Sequence, residues 1–149
     1  MKTYALVASS SGADYRRFLR VVENFASIAG FVHENPRRPP SSIDVMNAAE
    51  PYFLRVEFVL EYPGAIGTTP VPQYLYKYGP DFIELLEEFS DGLFDWLQPD
   101  LPEDFHLLRD DESTVLGTAS SEDHAYLRLT DAEVERWLAL WPGSITEQE

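Results

Sequence analysis

The chain contains no cysteine, which removes disulfides, thiolate zinc sites and cysteine nucleophiles from consideration at once. That fits a reducing compartment, and a cytoplasmic location is expected. Histidine is almost as scarce, with His33, His106 and His124 the three imidazoles. Basic residues number 11 against 26 acidic ones, for a formal net charge of -15. Such a surface repels nucleic acid and anionic lipid and favours basic partners. Long apolar runs are missing as well. Nothing approaches the roughly 20 residues of a bilayer-spanning helix, so no membrane role is expected. The apolar stretch within residues 1–9 is too short for a leader and is followed too soon by Asp14, so it reads as a first strand.

What is present fits one domain over residues 1–149. A chain of this length buries roughly 70% of its unfolded surface and folds without staples. Its charge is uneven: residues 1–40 hold six basic and three acidic groups, whereas the remainder holds five and 23.

Periodicity divides the chain into elements. Over residues 12–29, Tyr15, Phe18, Leu19, Val22, Phe25, Ala26 and Ala29 recur at helical spacing, with Ser11 or Asp14 as cap. Gly30 and the stretch Asn35-Pro36-Arg37-Arg38-Pro39-Pro40 then end regular structure in a loop. A short helix from Ser41 or Ser42 to Ala49 stops at Pro51. Residues 52–62 alternate cleanly, with Tyr52, Leu54, Val56, Phe58, Leu60 and Tyr62 on one side. That pattern predicts a strand with one face against helices and the other partly wet.

Residues 63–70 read as a loop, 73–78 as a strand and 80–97 as a second long helix, with Gly92 a point of kinking or division. Short strands are predicted at 104–109, 114–119 and 125–129, the first two joined by the turn residues Asp110-Asp111-Glu112-Ser113. Thr130-Asp131-Ala132-Glu133 matches a capping box opening a last helix. The order lacks regular βαβ alternation. The expected fold is therefore α+β, an antiparallel or mixed sheet of about five to six strands with three to four helices packed mainly on one face.

Motifs for nucleotide or acyl chemistry do not occur. Gly64-Ala65-Ile66-Gly67 lacks the downstream glycine and lysine of a phosphate loop, and no GxSxG elbow is present. Glu122-Asp123-His124 collects two carboxylates and an imidazole, but successive strand residues point to opposite faces and cannot all ligate one ion. No catalytic residue, metal or cofactor is assigned. His106 lies in the apolar Phe105-His106-Leu107-Leu108 and reads as a strand residue, either facing water or hydrogen-bonded in the core.

The strongest functional pattern lies in the helix at 80–97. Asp81, Glu84, Glu88, Asp91 and Asp95 fall at steps of 3, 4, 3 and 4, so a continuous helix gathers five carboxylates in one stripe. No lysine or arginine in that segment offsets them. Like charges so spaced weaken a helix by a few tenths of a kcal/mol per pair, so stability gains nothing from the stripe. These five residues, with Trp96 as an aromatic anchor, form the candidate partner-binding set.

The block Leu93-Phe94-Asp95-Trp96-Leu97-Gln98-Pro99-Asp100-Leu101-Pro102-Glu103-Asp104-Phe105-His106-Leu107-Leu108-Arg109-Asp110 resembles a stretch found in a family of small bacterial proteins to which no activity is attached. The resemblance covers residues 90–130. It implies a His-Glu pair before the final strand, where this chain has Glu122-Asp123-His124. In size and acidity the chain also resembles immunity proteins that neutralise basic nucleases. The reading that follows is an acidic binding protein, an immunity-type inhibitor of a basic toxin or nuclease. The alternative is a small enzyme or a ligand- or metal-binding domain using a carboxylate and histidine cleft. A homodimer joined through the Arg16, Arg17 and Arg20 face is a further expectation.

Overall fold

The computed structural model describes residues 1–32, 40–97 and 100–148. In chain order the elements are β1 (Lys2–Leu6), α1 (Gly12–Val22), β2 (Ile28–Val32), α2 (Pro40–Ala49), β3 (Phe53–Tyr62), β4 (Ala65–Lys77), α3 (Pro80–Phe89), β5 (Glu103–Leu108), β6 (Thr114–Ala119), β7 (His124–Leu129), α4 (Asp131–Leu140) and β8 (Ile145–Glu147). All strands join one sheet in the order β3-β4-β2-β5-β6-β7-β1-β8. Every pairing in it is antiparallel. The α+β class and the antiparallel sheet agree with expectation, but the sheet has eight strands rather than five or six. No helix among the described residues is long and apolar enough to cross a membrane. The expected proline-rich loop and His33 fall on residues 33–39, and Pro99 on 98–99, outside the described residues.

The two additional strands have clear origins. Helix α1 stops at Val22 instead of running to residue 29. The Asn24 side chain donates to the Arg20 and Val21 carbonyls and competes with the helix ladder. Phe25 and Ala26 still satisfy the helical spacing, because their amides close a turn on the Val22 carbonyl. Residues 28–32 then form β2, buried throughout. A short, uniformly apolar run of this kind has no period that separates strand from helix. Strand β8 is a three-residue segment pairing with β1. Ser11 is the N-cap of α1 by position but makes no side-chain cap bond, and the Asp14 carboxylate instead accepts from the Ser9 amide. The capping box on α4 is present in full, with Glu133 N–H donating to Thr130 and Thr130 N–H to Glu133.

One large apolar cluster joins side chains from all four helices to Ala29, Phe31, Tyr76, Phe105, Leu107, Leu116 and Leu127 of the sheet. These strand residues share one face, which the helices cover. The opposite face carries a small cluster of Ile28, Leu75 and Leu108, with no helical member. There the cover is supplied by the sheet itself. Residues 73–77 of β4 pair with β2, whereas residues 65–72 run past its end, where Ala65, Ile66, Val71 and Pro72 pair with β3. This projecting β3–β4 arm folds back over the sheet. Gly64 at its tip sits so close to β6 that a Cβ there would lie 2.1 Å from the Thr118 carbonyl oxygen. Tyr62 lays its ring on His106 of β5, with centroids 5.8 Å apart.

A glycine also makes room for His106. A Cβ on Gly30 would fall 2.1 Å from its Nε2, so the imidazole of β5 occupies the space above the bare backbone of β2. Substitution of Gly30→Ala is expected to destabilise the protein by roughly 1–3 kcal/mol or more through overpacking. Combining it with His106→Ala should recover part of that loss, and urea unfolding of the two single variants and the double variant measures the coupling.

Candidate functional site

Helix α3 is shorter than the acid spacing suggests, and this breaks the expected stripe. The helix ends at Phe89, and Ser90 is extended. Two features outside the helix end it. The backbone of residues 91–93 is taken up by the Ser10-Ser11-Gly12 segment, with Gly12 N–H donating to Asp91 and Leu93 N–H to Ser10. The Ser90 hydroxyl donates to the Leu86 carbonyl, capping the last turn. A separate 3-10 turn follows at Leu93–Asp95.

Asp81, Glu84 and Glu88 stay together on the exposed side of α3. They enter no ion pair among the described residues. The other two carboxylates are separated from them. Asp91 lies beyond the helix and is held by Arg16 at 3.0 Å. Asp95, in the 3-10 turn, accepts the Asp91 amide at 3.1 Å.

Trp96 is not a surface anchor. It is fully buried between Phe31 and Phe105, whose ring centroids lie 4.8 and 6.3 Å away. Its indole N–H donates to the Tyr15 hydroxyl at 3.2 Å. Tyr15 in turn bonds Ser90 at 2.6 Å, so donors run in one direction from Trp96 to the Leu86 carbonyl. Burial pushes the Tyr15 phenol up to about 12, and it stays protonated as that chain requires.

The basic face expected to meet an acidic partner is largely met within the chain. Arg16 and Arg20 both converge on Glu87, at 3.7 and 2.5 Å. Glu87 was not among the candidate acids, since it lies off the stripe, and its side chain is only 17% exposed. Arg17 donates to the Leu140 carbonyl and stacks over Trp141. Arg109 forms a fork with Glu133, at 3.0 and 2.6 Å, and also donates to the Thr114 and Arg128 carbonyls. Burial works to raise the Glu133 carboxyl, but hydrogen bonds from Arg109 and Thr130 hold it below its ordinary range. Arg55 is paired with Glu57 and Glu112.

Beneath the arm lies a polar cluster that no motif announced. His106 is wholly buried. Its Nδ1 is 2.9 Å from the Asp104 carbonyl oxygen, which can only accept, so Nδ1 carries the proton. Its Nε2, 2.8 Å from the Gln73 amide nitrogen, is therefore the acceptor. The Tyr62 hydroxyl donates to the Asp104 carboxylate at 2.7 Å, and the Ser120 amide donates to its other oxygen at 2.9 Å. The imidazole is thus fixed as one neutral tautomer, closed off from substrate and solvent. His124 is exposed at the start of β7. Among the described residues no three His, Cys, Asp or Glu side chains are placed to hold a metal ion.

The surface of the arm is its most unusual part. The apolar side of β3 was expected against helices, yet Leu54, Val56, Phe58 and Leu60 are all exposed. Val56 and Phe58 stand opposite Tyr74 and Pro72, on the helical side of the sheet but beyond the reach of the helices. Phe58 is 74% and Ile66 81% exposed. An open groove of about 730 Å³ lies on the arm, lined by Phe58, Leu60, Tyr62, Ile66, Val71 and Pro72 among others. Contiguous exposed apolar side chains of this size mark interaction surfaces.

No family model, curated protein or solved structure matches the chain.

The buried histidine gives the fold a dependence on pH. Burial lowers its pKa from 6.5 to about 4, and the hydrogen bond to the Asp104 carbonyl offsets only part of that. The unfolded chain therefore binds a proton that the folded one refuses between those values. The associated stability is complete above about pH 6.5 and is lost as pH falls through about 4, an amount on the order of 3 kcal/mol. Urea unfolding from pH 7.5 to 4 is expected to show this slope, and His106→Gln should flatten it relative to the parent.

Proposed function

We propose that this protein is an acidic binding protein of the immunity type, which neutralises a basic toxin or nuclease by covering the face that would engage phosphates. The observation that carries this reading is how its charges are divided. The arginines near acids are engaged inside the molecule, on Glu87, Asp91, Glu112 and Glu133. Asp81, Glu84 and Glu88 are left outside those pairs on one exposed helical side. An uncompensated acidic face on a chain of net charge -15 steers a basic partner and raises its rate of association.

The partner-binding set is accordingly Asp81, Glu84 and Glu88, with Asp91 and Asp95 at its margin and Trp96 supporting the turn from within. The alternative of a carboxylate and histidine cleft draws no support from His106, whose two nitrogens are both occupied in the interior.

Immobilised protein incubated with lysate of the native cells is expected to retain a basic nuclease or toxin at about 0.01 M ionic strength. It should release that protein at about 1 M, as the screening length falls from about 30 to 3 Å. The triple variant D81K/E84K/E88K is expected to lower retention at least tenfold while leaving the circular dichroism spectrum unchanged. Retention that survives both the salt and the triple reversal overturns the proposal, as does an eluate free of any basic toxin or nuclease.

A further inference from the structure

The sheet has three free margins among the described residues, and they differ in how well they are guarded. Strand β8 at one end has only three residues, and short edges resist pairing. The outer side of residues 65–72 in β4, beyond the end of β2, carries Pro70 and Pro72, which lack the amide that a new strand would need. Strand β3 at the other end is ten residues long and pairs with β4 alone. Its sequence, Phe-Leu-Arg-Val-Glu-Phe-Val-Leu-Glu-Tyr, contains no proline, glycine or lysine. Register shifts against β4 flank residues 55–59, and the regular stretch between them, mostly apolar and free of proline, leaves an edge open to strand addition.

We infer that β3 pairs with β3 of a second copy of this chain, in antiparallel register about a two-fold axis at Val56, to make one continuous sheet across a homodimer. The strand is complementary to itself in that register. Within the regular stretch 55–59, two-fold pairing about Val56 sets Val56 opposite Val56 of the second copy on the exposed apolar side, with Phe58 beside it. On the other side it brings Arg55, which binds Glu57 and Glu112 of its own chain, opposite Glu57 of the second copy, twice by symmetry, so that each Glu57 lies between two guanidinium groups. Shifting the axis to Glu57 places like charges face to face, which opposes pairing. Shifting it to Arg55 does the same.

Between residues 53 and 60 the strand carries one positive and one negative side chain, so it is locally neutral on a strongly acidic molecule. The remaining repulsion between copies is long-ranged and is screened at physiological salt. This surface differs from the acidic side of α3, and the inference does not rest on the toxin-binding reading.

Dimerisation should therefore respond to salt with the opposite sign to capture of a basic partner. Sedimentation velocity of the full chain across a concentration series is expected to show a monomer–dimer equilibrium. Its dissociation constant should fall severalfold as ionic strength rises from about 0.01 to 1 M. Val56→Lys, which brings two ammonium groups together at the axis, should weaken the dimer at least tenfold. Arg55→Glu and Glu57→Arg should each weaken it and their combination restore it, whereas D81K/E84K/E88K should not weaken it.

Because the chain has no native cysteine, Val56→Cys supplies an independent check on register. It should give a covalent dimer on oxidation, and Val7→Cys, on an exposed residue outside β3, should not. A chain that stays monomeric at every concentration and salt overturns the inference. So does a dimer unaffected by Val56→Lys, or failure of Val56→Cys to cross-link.

Discussion

The imidazole of His106, lying on the bare backbone of Gly30, is the contact around which the rest of the molecule is arranged. Neutral and buried, it offers one nitrogen to its own strand and the other to Gln73 of β4. The ring of Tyr62 closes over it from the arm. A polar group so deep is tolerated because each of its nitrogens has a partner. It also fixes where the arm bends, since Tyr62 is tied at once to the ring and to Asp104. The helices occupy one face of the sheet and the folded arm covers part of the other. What neither reaches is the helical side of β3, which explains why a strand rich in large apolar residues is exposed.

Local chemistry was legible in the sequence, whereas features that depend on distant segments were not. Thr130 and Glu133 satisfy each other across three residues, so their motif needs nothing else to be read. The alternation from Tyr52 to Tyr62 identifies a strand for the same reason. Which of its faces would be covered depends on how far the helical layer extends, and alternation carries no information about that.

The acid spacing after Pro80 assumed a helix through Gly92, but the chain there turns aside to bond Ser10 and Gly12, some eighty residues earlier. Asp91 and Asp95 leave the stripe for that reason. Trp96, an apparent anchor by composition, is drawn inward by the Phe31 and Phe105 rings. The pairing of Gly30 with His106 had only one faint sign, a glycine in one apolar run and a histidine in another.

The electrostatic pattern follows from where the arginines went. Glu87, set one position aside from the stripe, takes both Arg16 and Arg20 and fastens α1 to α3. Arg109 secures the start of α4 to the β5–β6 hairpin through Glu133. The Arg109–Glu133 fork is largely buried, whereas Arg16 and Arg20 are about half exposed, so the Glu87 pairs orient the two helices more than they stabilise them. With those cations committed to the fold, the surface keeps an excess of one sign, and the carboxylates that tie the elements together are distinct from Asp81, Glu84 and Glu88, left outside any ion pair among the described residues.

All three indoles, Trp96, Trp137 and Trp141, are packed inside the molecule. Their emission is expected to be that of rings shielded from water, and to report the integrity of the interior. A partner on the exposed side of α3 or on the outer rim of the sheet does not touch these buried rings directly. Intrinsic fluorescence is thus a clean gauge of whether the protein is folded and a poor witness to what it has bound.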